Sequence, residues 1–316
     1  MASEKPLPAK SSSIRRRRTG GARTVDLSHA RIDRAHALAP GLFRSLGPGD
    51  RKRLKLDITY DYGNGEKLEF WGKDPLGVFD MRVFQGLIAM AGPDGIILEN
   101  SQKADETGQN LLTRLYEPAD EEVRNAVIKP RSLEVRDSLK RLAREIGAPE
   151  NGQSIKQIKH SIERLFGVTV MVRCGNKSLG SRLLSAYFSD DSNGALRASL
   201  NPRLAHAVMG GGPHARIDLI EARSLKSDAV RLLHQRLSAF VDPGKSRTVS
   251  TETLAGYIWP DPAESPRTAR SRMTKVRKAV GELRSATGWN ITEIKPDQWR
   301  FIRPRLIEHE RDTLVP

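Results

Sequence analysis

Cysteine occurs once in this 316-residue chain, aromatic residues make up only 5% of it, and 38 acidic residues face 53 basic ones. No apolar run is long enough to span a membrane. Each scarcity excludes something. A lone cysteine, Cys174, cannot form an intramolecular disulfide or a zinc site of several thiolates, and at the end of an apolar run it reads as a small packed thiol. The N-terminal cations are followed by no apolar signal core, so the expected compartment is the cytoplasm. The basic segments lack the Trp- and Leu-rich face of interfacial helices, so no membrane partner is expected. The seven histidines form no His-x-His or His-x-x-x-His pair. His29 and His36 flank Asp33 on a short segment that Pro40 ends, and Asp57 and Asp61 have strand spacing, so neither group reads as a metal or two-metal nuclease site. Gly175-Asn176-Lys177-Ser178-Leu179-Gly180-Ser181 imitates a phosphate-binding loop, but Ser181 stands where that loop needs its lysine. We therefore expect no catalytic residues, no cofactor, no metal and no enzymatic activity.

What the chain has in excess is positive charge, +15 net with a pI near 10.1, and the charge is concentrated. Residues 1–27 hold seven cations against two acids, and residues 267–284 seven against one. The second stretch lies on a predicted helix from Ser265 to Thr287, where Met273, Val276, Val280 and Leu283 recur at spacings of three and four and form one buried stripe. Arg267, Arg270, Ser271, Thr274, Lys275 and Lys278 project the other way, while Arg272 lies on the stripe's flank. Preceded by an apolar helix at Thr251 to Trp259, this is the layout of a DNA recognition helix. The pattern repeats at residues 154–166, where Ile155, Ile158, Ile162, Leu165 and Phe166 form the stripe and Lys156, Gln157, His160 and Arg164 point away. A hairpin-like pair of strands follows each helix. The first is read as Val168 to Arg173 and Leu183 to Phe188, the second as Trp289 to Ile294 and Gln298 to Ile302.

The expected fold is accordingly mainly α with small β wings, an α+β chain of tandem winged helix-turn-helix domains. Residues 1–27 read as a disordered basic arm, 28–194 as the N-terminal domain and 195–316 as the C-terminal domain. Within them, Asn64-Gly65 between alternating runs predicts a hairpin, and residues 80–90 a helix stopped by Gly92-Pro93. Ser132 is expected to cap a helix through Ile146, residues 99–110 to form a loop, and residues 218–241 to be one helix. Gly210-Gly211-Gly212-Pro213 reads as the interdomain joint.

Longer runs carry a family resemblance. Ser28-His29-Ala30-Arg31, Leu38-Ala39-Pro40-Gly41-Leu42-Phe43-Arg44, Leu56-Asp57-Ile58-Thr59-Tyr60-Asp61-Tyr62-Gly63, Gly86-Leu87-Ile88-Ala89-Met90-Ala91-Gly92-Pro93, Ala207-Val208-Met209-Gly210-Gly211-Gly212 and Leu232-Leu233-His234-Gln235-Arg236-Leu237 together resemble the replication initiator protein C of IncQ-type plasmids. The resemblance runs from about Ser28 to Pro304; the arm before Leu27 is longer and more basic than the family pattern. It implies binding to double-stranded DNA at repeated origin sequences called iterons, opening of an adjacent A·T-rich segment, and work beside a plasmid-encoded helicase and primase. A homodimer is left open, and a winged-helix transcriptional regulator would share the same helices and charge.

Overall fold

The computed structural model describes residues 27–92, 96–98, 132–190 and 192–305. The basic arm before Leu27 and the expected loop at 99–110 lie outside them. The fold is mixed α+β, with more strand than two small hairpins would supply.

In the first half, β2 (Leu56–Gly63) and β3 (Glu66–Gly72) form the expected hairpin, and its turn residues Asn64 and Gly65 take positive φ values of 56° and 75°. That left-handed pair matches the twist of the strands it joins. The short α2 (Asp50–Arg53) precedes that hairpin, and α3 (Val78–Ala91) after it is the central helix, buried almost all round. α4 (Leu139–Glu145) crosses it at Gly86, where an added Cβ would lie 2.5 Å from Ile146 Cγ2 and 2.7 Å from Leu142 Cδ1, so the absence of a side chain permits the approach. α5 (Gly152–Phe166) packs on α3 behind an Asn151 cap whose side chain accepts the Ser154 amide at 2.9 Å.

Three expectations fail here. Ser132–Ser138 is a strand, β5, pairing with β4 (Ile96–Leu98), and the cap of α4 is Ser138, which accepts from the Arg141 amide. Leu133, Glu134 and Val135 are all buried, as in a strand covered on both faces, and the helix begins only at Leu139, beyond the Ser138 cap. The partner of β6 (Thr169–Cys174) is β7 (Lys177–Arg182), completing a sheet ordered β2-β3-β6-β7. β7 is polar and largely exposed, so it carries no apolar signal; the apolar run assigned to the hairpin is β8 (Leu184–Asp190), in another sheet. Cys174 is exposed at the end of β6 and is not a packed thiol.

β8 pairs with β9 (Ala195–Leu200) in the order β4-β5-β9-β8, so β9 shares a sheet with strands of the first half. α6 (Pro202–Val208) then leads to Gly210 and Gly212, both at positive φ. The second half opens with β10 (His214–Asp218). The expected single helix is two, α7 (Leu219–Ser224), capped by Asp218, and α8 (Asp228–Phe240), capped by Ser227. α9 (Thr251–Ile258) and α10 (Pro266–Ala286) pack on α8, and the strands β11 (Ser246–Ser250), β12 (Asn290–Lys295) and β13 (Gln298–Ile302) form a sheet ordered β11-β13-β12.

The halves join through a two-stranded ribbon. β1 (His29–Asp33), followed by the short α1 (Arg34–Leu38), pairs antiparallel with β10, and both strands read His-Ala-Arg-Ile-Asp. Arg31 opposes Arg216 at the centre, and Ala30, Ile32, Ala215 and Ile217 are buried against α3 and α8. Between those helices the buried amide of Gln85 donates to Gln235 at 2.8 Å.

Candidate nucleic-acid interface

α10 is built for one dry and one wet face. Ser265 caps it by accepting the Thr268 amide, Pro266 fixes the first turn, and no acid sits in that turn. Val276, Ala279, Val280 and Leu283 are buried and Met273 is half-buried. Arg267, Arg270, Ser271, Thr274, Lys275 and Lys278 are all exposed on the opposite side. Thr274 donates its hydroxyl to the Arg270 carbonyl at 3.1 Å, leaving an oxygen lone pair outward. Lys275 lies 5.9 Å from the Trp259 ring, which places its ammonium at the start of the exposed face.

The flanking arginines are engaged elsewhere. Arg272 donates to the Asp261 carbonyl at 2.6 Å and sits 5.5 Å from the Trp259 ring, so it braces the turn ahead of the helix. Arg277 pairs with Asp297 at 2.7 Å, joining α10 to the tip of the β12–β13 hairpin. The Thr251 hydroxyl and the Arg277 guanidinium hold the Asp297 carboxyl below its usual range. Arg300 faces outward between Thr248 and Thr292 on the same sheet, a cation that helical periodicity alone does not reveal.

The first half presents a weaker face. Lys156 and Gln157 are exposed on α5, and His160 is exposed but hydrogen-bonded through Nδ1 to Glu163 at 3.1 Å. Arg164 does not point outward. Its guanidinium reaches the fully buried Asp80 at 2.6 Å and is itself only 18% exposed, because the carboxylate beneath it has no water to ionise in and needs a cation. Asp80 also accepts from Ser161 at 2.7 Å, Arg51 at 2.9 Å and the Gly77 amide at 2.7 Å. It thus ties α5 to the start of α3. His36, weighed above beside His29, is buried with Nδ1 2.7 Å from Asp33, which also meets Arg203 at 2.8 Å.

Among the described residues no group of three or more His, Cys, Asp or Glu side chains converges to hold a metal ion, and no helix is long and apolar enough to cross a membrane.

Residues 24–305 match the family model described as Replication protein C (RepC). No curated protein matches the chain. A crystal structure of domains 2 and 3 of RctB superposes with a TM-score of 0.50 at 11% identity, over 85% of this chain and 97% of that one. A second structure of the same RctB domains gives 0.48 at 10% identity, over 89% and 100%. The Pi initiator protein in complex with iteron DNA gives 0.41 at 13% identity, over 54% and 81%. At 11% identity the likeness to the first RctB structure is one of fold.

Proposed function

The chain belongs to the replication protein C family, and from that premise we propose that it is an IncQ-type plasmid replication initiator that binds origin iterons through two winged helix-turn-helix units. In the second unit α9 and α10 are the helix-turn-helix and β12–β13 the wing; in the first, α4 and α5 precede the β6–β7 wing. The exposed cationic face of α10 above its buried stripe carries the reading. Arg, Lys, Thr and Ser at those positions supply donors and acceptors to base edges in the major groove, the groove that distinguishes all four base pairs. Arg300 and the hairpin tips follow the phosphates. Two such helices in successive grooves on one side of B-DNA, about 34–36 Å apart, cover on the order of 20 base pairs.

In this reading the protein makes and breaks no covalent bond. The work of opening the neighbouring A·T-rich duplex comes from binding several copies, each bending DNA at a cost of about 1–6 kcal/mol. The exposed single strand is then passed to the helicase and primase. Salt titration tests the electrostatic core of this reading. If the basic faces neutralise about 6–10 phosphates, affinity for duplex DNA falls roughly 10³–10⁵-fold between about 50 and 200 mM salt. A slope equivalent to one or two contacts contradicts it.

A further inference from the structure

We propose that residues 39–54 form a strap that fixes the spacing between the two reading helices, and that the Arg44–Asp261 ion pair on it sets which half-site spacing the protein accepts. The inference rests on the DNA-binding reading above.

The strap is anchored in the first half. Arg44 donates its amide to the Leu76 carbonyl at 3.0 Å, Phe43 bridges to Leu76, and the Phe43 ring lies 5.5 Å from Phe84 of α3. From there it reaches both helices. Toward α5, Arg51 donates to Asp80, the carboxylate that also holds Ser161 and Arg164. Toward α10, the strap grips the turn of the second helix-turn-helix. The Arg44 guanidinium meets both Asp261 oxygens, at 2.8 and 3.5 Å, and the Ser45 amide donates to the Ile258 carbonyl at 3.3 Å. Gly41, at φ +78°, presses so close that an added Cβ would lie 3.0 Å from Pro260 Cγ. Asp261 passes the constraint on, because its carbonyl accepts from Arg272 of α10. A continuous chain of contacts therefore runs from α5 through the strap to α10. The ribbon and the Gln85–Gln235 bond also join the halves, but they hold α3 and α8, whereas the strap touches the turn directly ahead of the reading helix.

Arg44 is 14% exposed and held by packing, while Asp261 is 65% exposed. Because Asp261 is open to water, the ion pair itself adds little to folding stability, so neutralising Asp261 loosens geometry without unfolding the chain. One inserted base pair displaces a half-site by about 3.4 Å and rotates it by roughly 35°, a change that a rigid strap cannot follow and a slack one can.

The test uses the full chain and the duplex it selects from a randomised pool of about 30 base pairs, remade with one base pair inserted or deleted at its centre. Wild type is expected to lose about tenfold or more in affinity on either change, equivalent to one misread base pair. Arg44→Ala and Asp261→Asn should lose less than about threefold, with unchanged binding to random-sequence DNA and, for Asp261→Asn, an unchanged melting temperature. The charge exchange, Arg44→Asp with Asp261→Arg, should restore the wild-type penalty. A full spacing penalty in Arg44→Ala and Asp261→Asn overturns the strap while leaving DNA reading intact. Should Arg44→Ala fail to fold, Asp261→Asn on its exposed carboxylate decides. Failure of the wild type to select any sequence removes the DNA-reading proposal itself, and the strap with it.

Discussion

Asp80 is buried, charged and shared by four donors, and its position explains why one sequence expectation reversed. On a helical wheel Arg164 lies away from the apolar stripe of α5, and nothing in the local pattern shows a carboxylate waiting beneath it. The pairing is long-range and silent in the sequence. Removing that carboxylate leaves the Arg164 guanidinium facing a dry site, so Asp80→Ala should cost about 3–5 kcal/mol in urea unfolding, far more than Glu163→Ala on the exposed face. Two other carboxylates set an acid limit. Burial opposes ionisation of Glu221, but hydrogen bonds from His234 and Trp289 and the charge of His234 prevail and hold its carboxyl below the ordinary range. Asp33 is lowered in the same way, burial being outweighed by the hydrogen bond and charge of His36 and by Arg203. A carboxylate with a lowered folded pKa stabilises fully above its unfolded value and loses that contribution as pH falls through the folded one. Stability should therefore decline from about pH 4 downward, the unfolded range of these groups. Denaturant unfolding of Glu221→Gln should show a shallower acid decline than wild type.

Elements with a strong apolar period were legible. The bounds of α10 fall within a residue of the stretch from Ser265 to Thr287, because a serine cap, a proline and a stripe all mark the same helix. The strands were less so. β7 has no buried face to write an alternation, β5 mixes Leu and Val with charge, and the break at Leu225 lies inside a run whose apolar spacing continues past it. Within α10 the structure separates two kinds of arginine, and substitution should do the same. Arg270→Ala should cost about 1–3 kcal/mol and relax preference at one base position if the side chain reads a base, or weaken all sequences alike if it meets a phosphate. Arg272→Ala instead frees the turn at Asp261, so its loss should appear as lowered stability of the second half and a slackened half-site spacing, with base preference at each position unchanged. Melting curves and competition binding on the two variants distinguish these outcomes.

At the scale of the whole molecule, the identical pentapeptides of β1 and β10 were visible in the sequence. Neither segment reads as a strand from its own sequence, and only their pairing shows that the halves are joined at matching points. The pairing also binds the parts together. Residues 213–316 alone would expose the edge of β10 and lose Arg44 from the turn ahead of α10, so on the proposed reading the joined chain binds DNA more tightly than that fragment. A nuclease footprint of the full chain on the plasmid DNA that encodes it tests this account most directly. Protection of repeated segments of about 20 base pairs each is expected, with Arg270→Ala weakening the protection of every repeat. Uniform protection that ignores the repeats, or protection unaffected by Arg270→Ala and Lys278→Ala together, would contradict it.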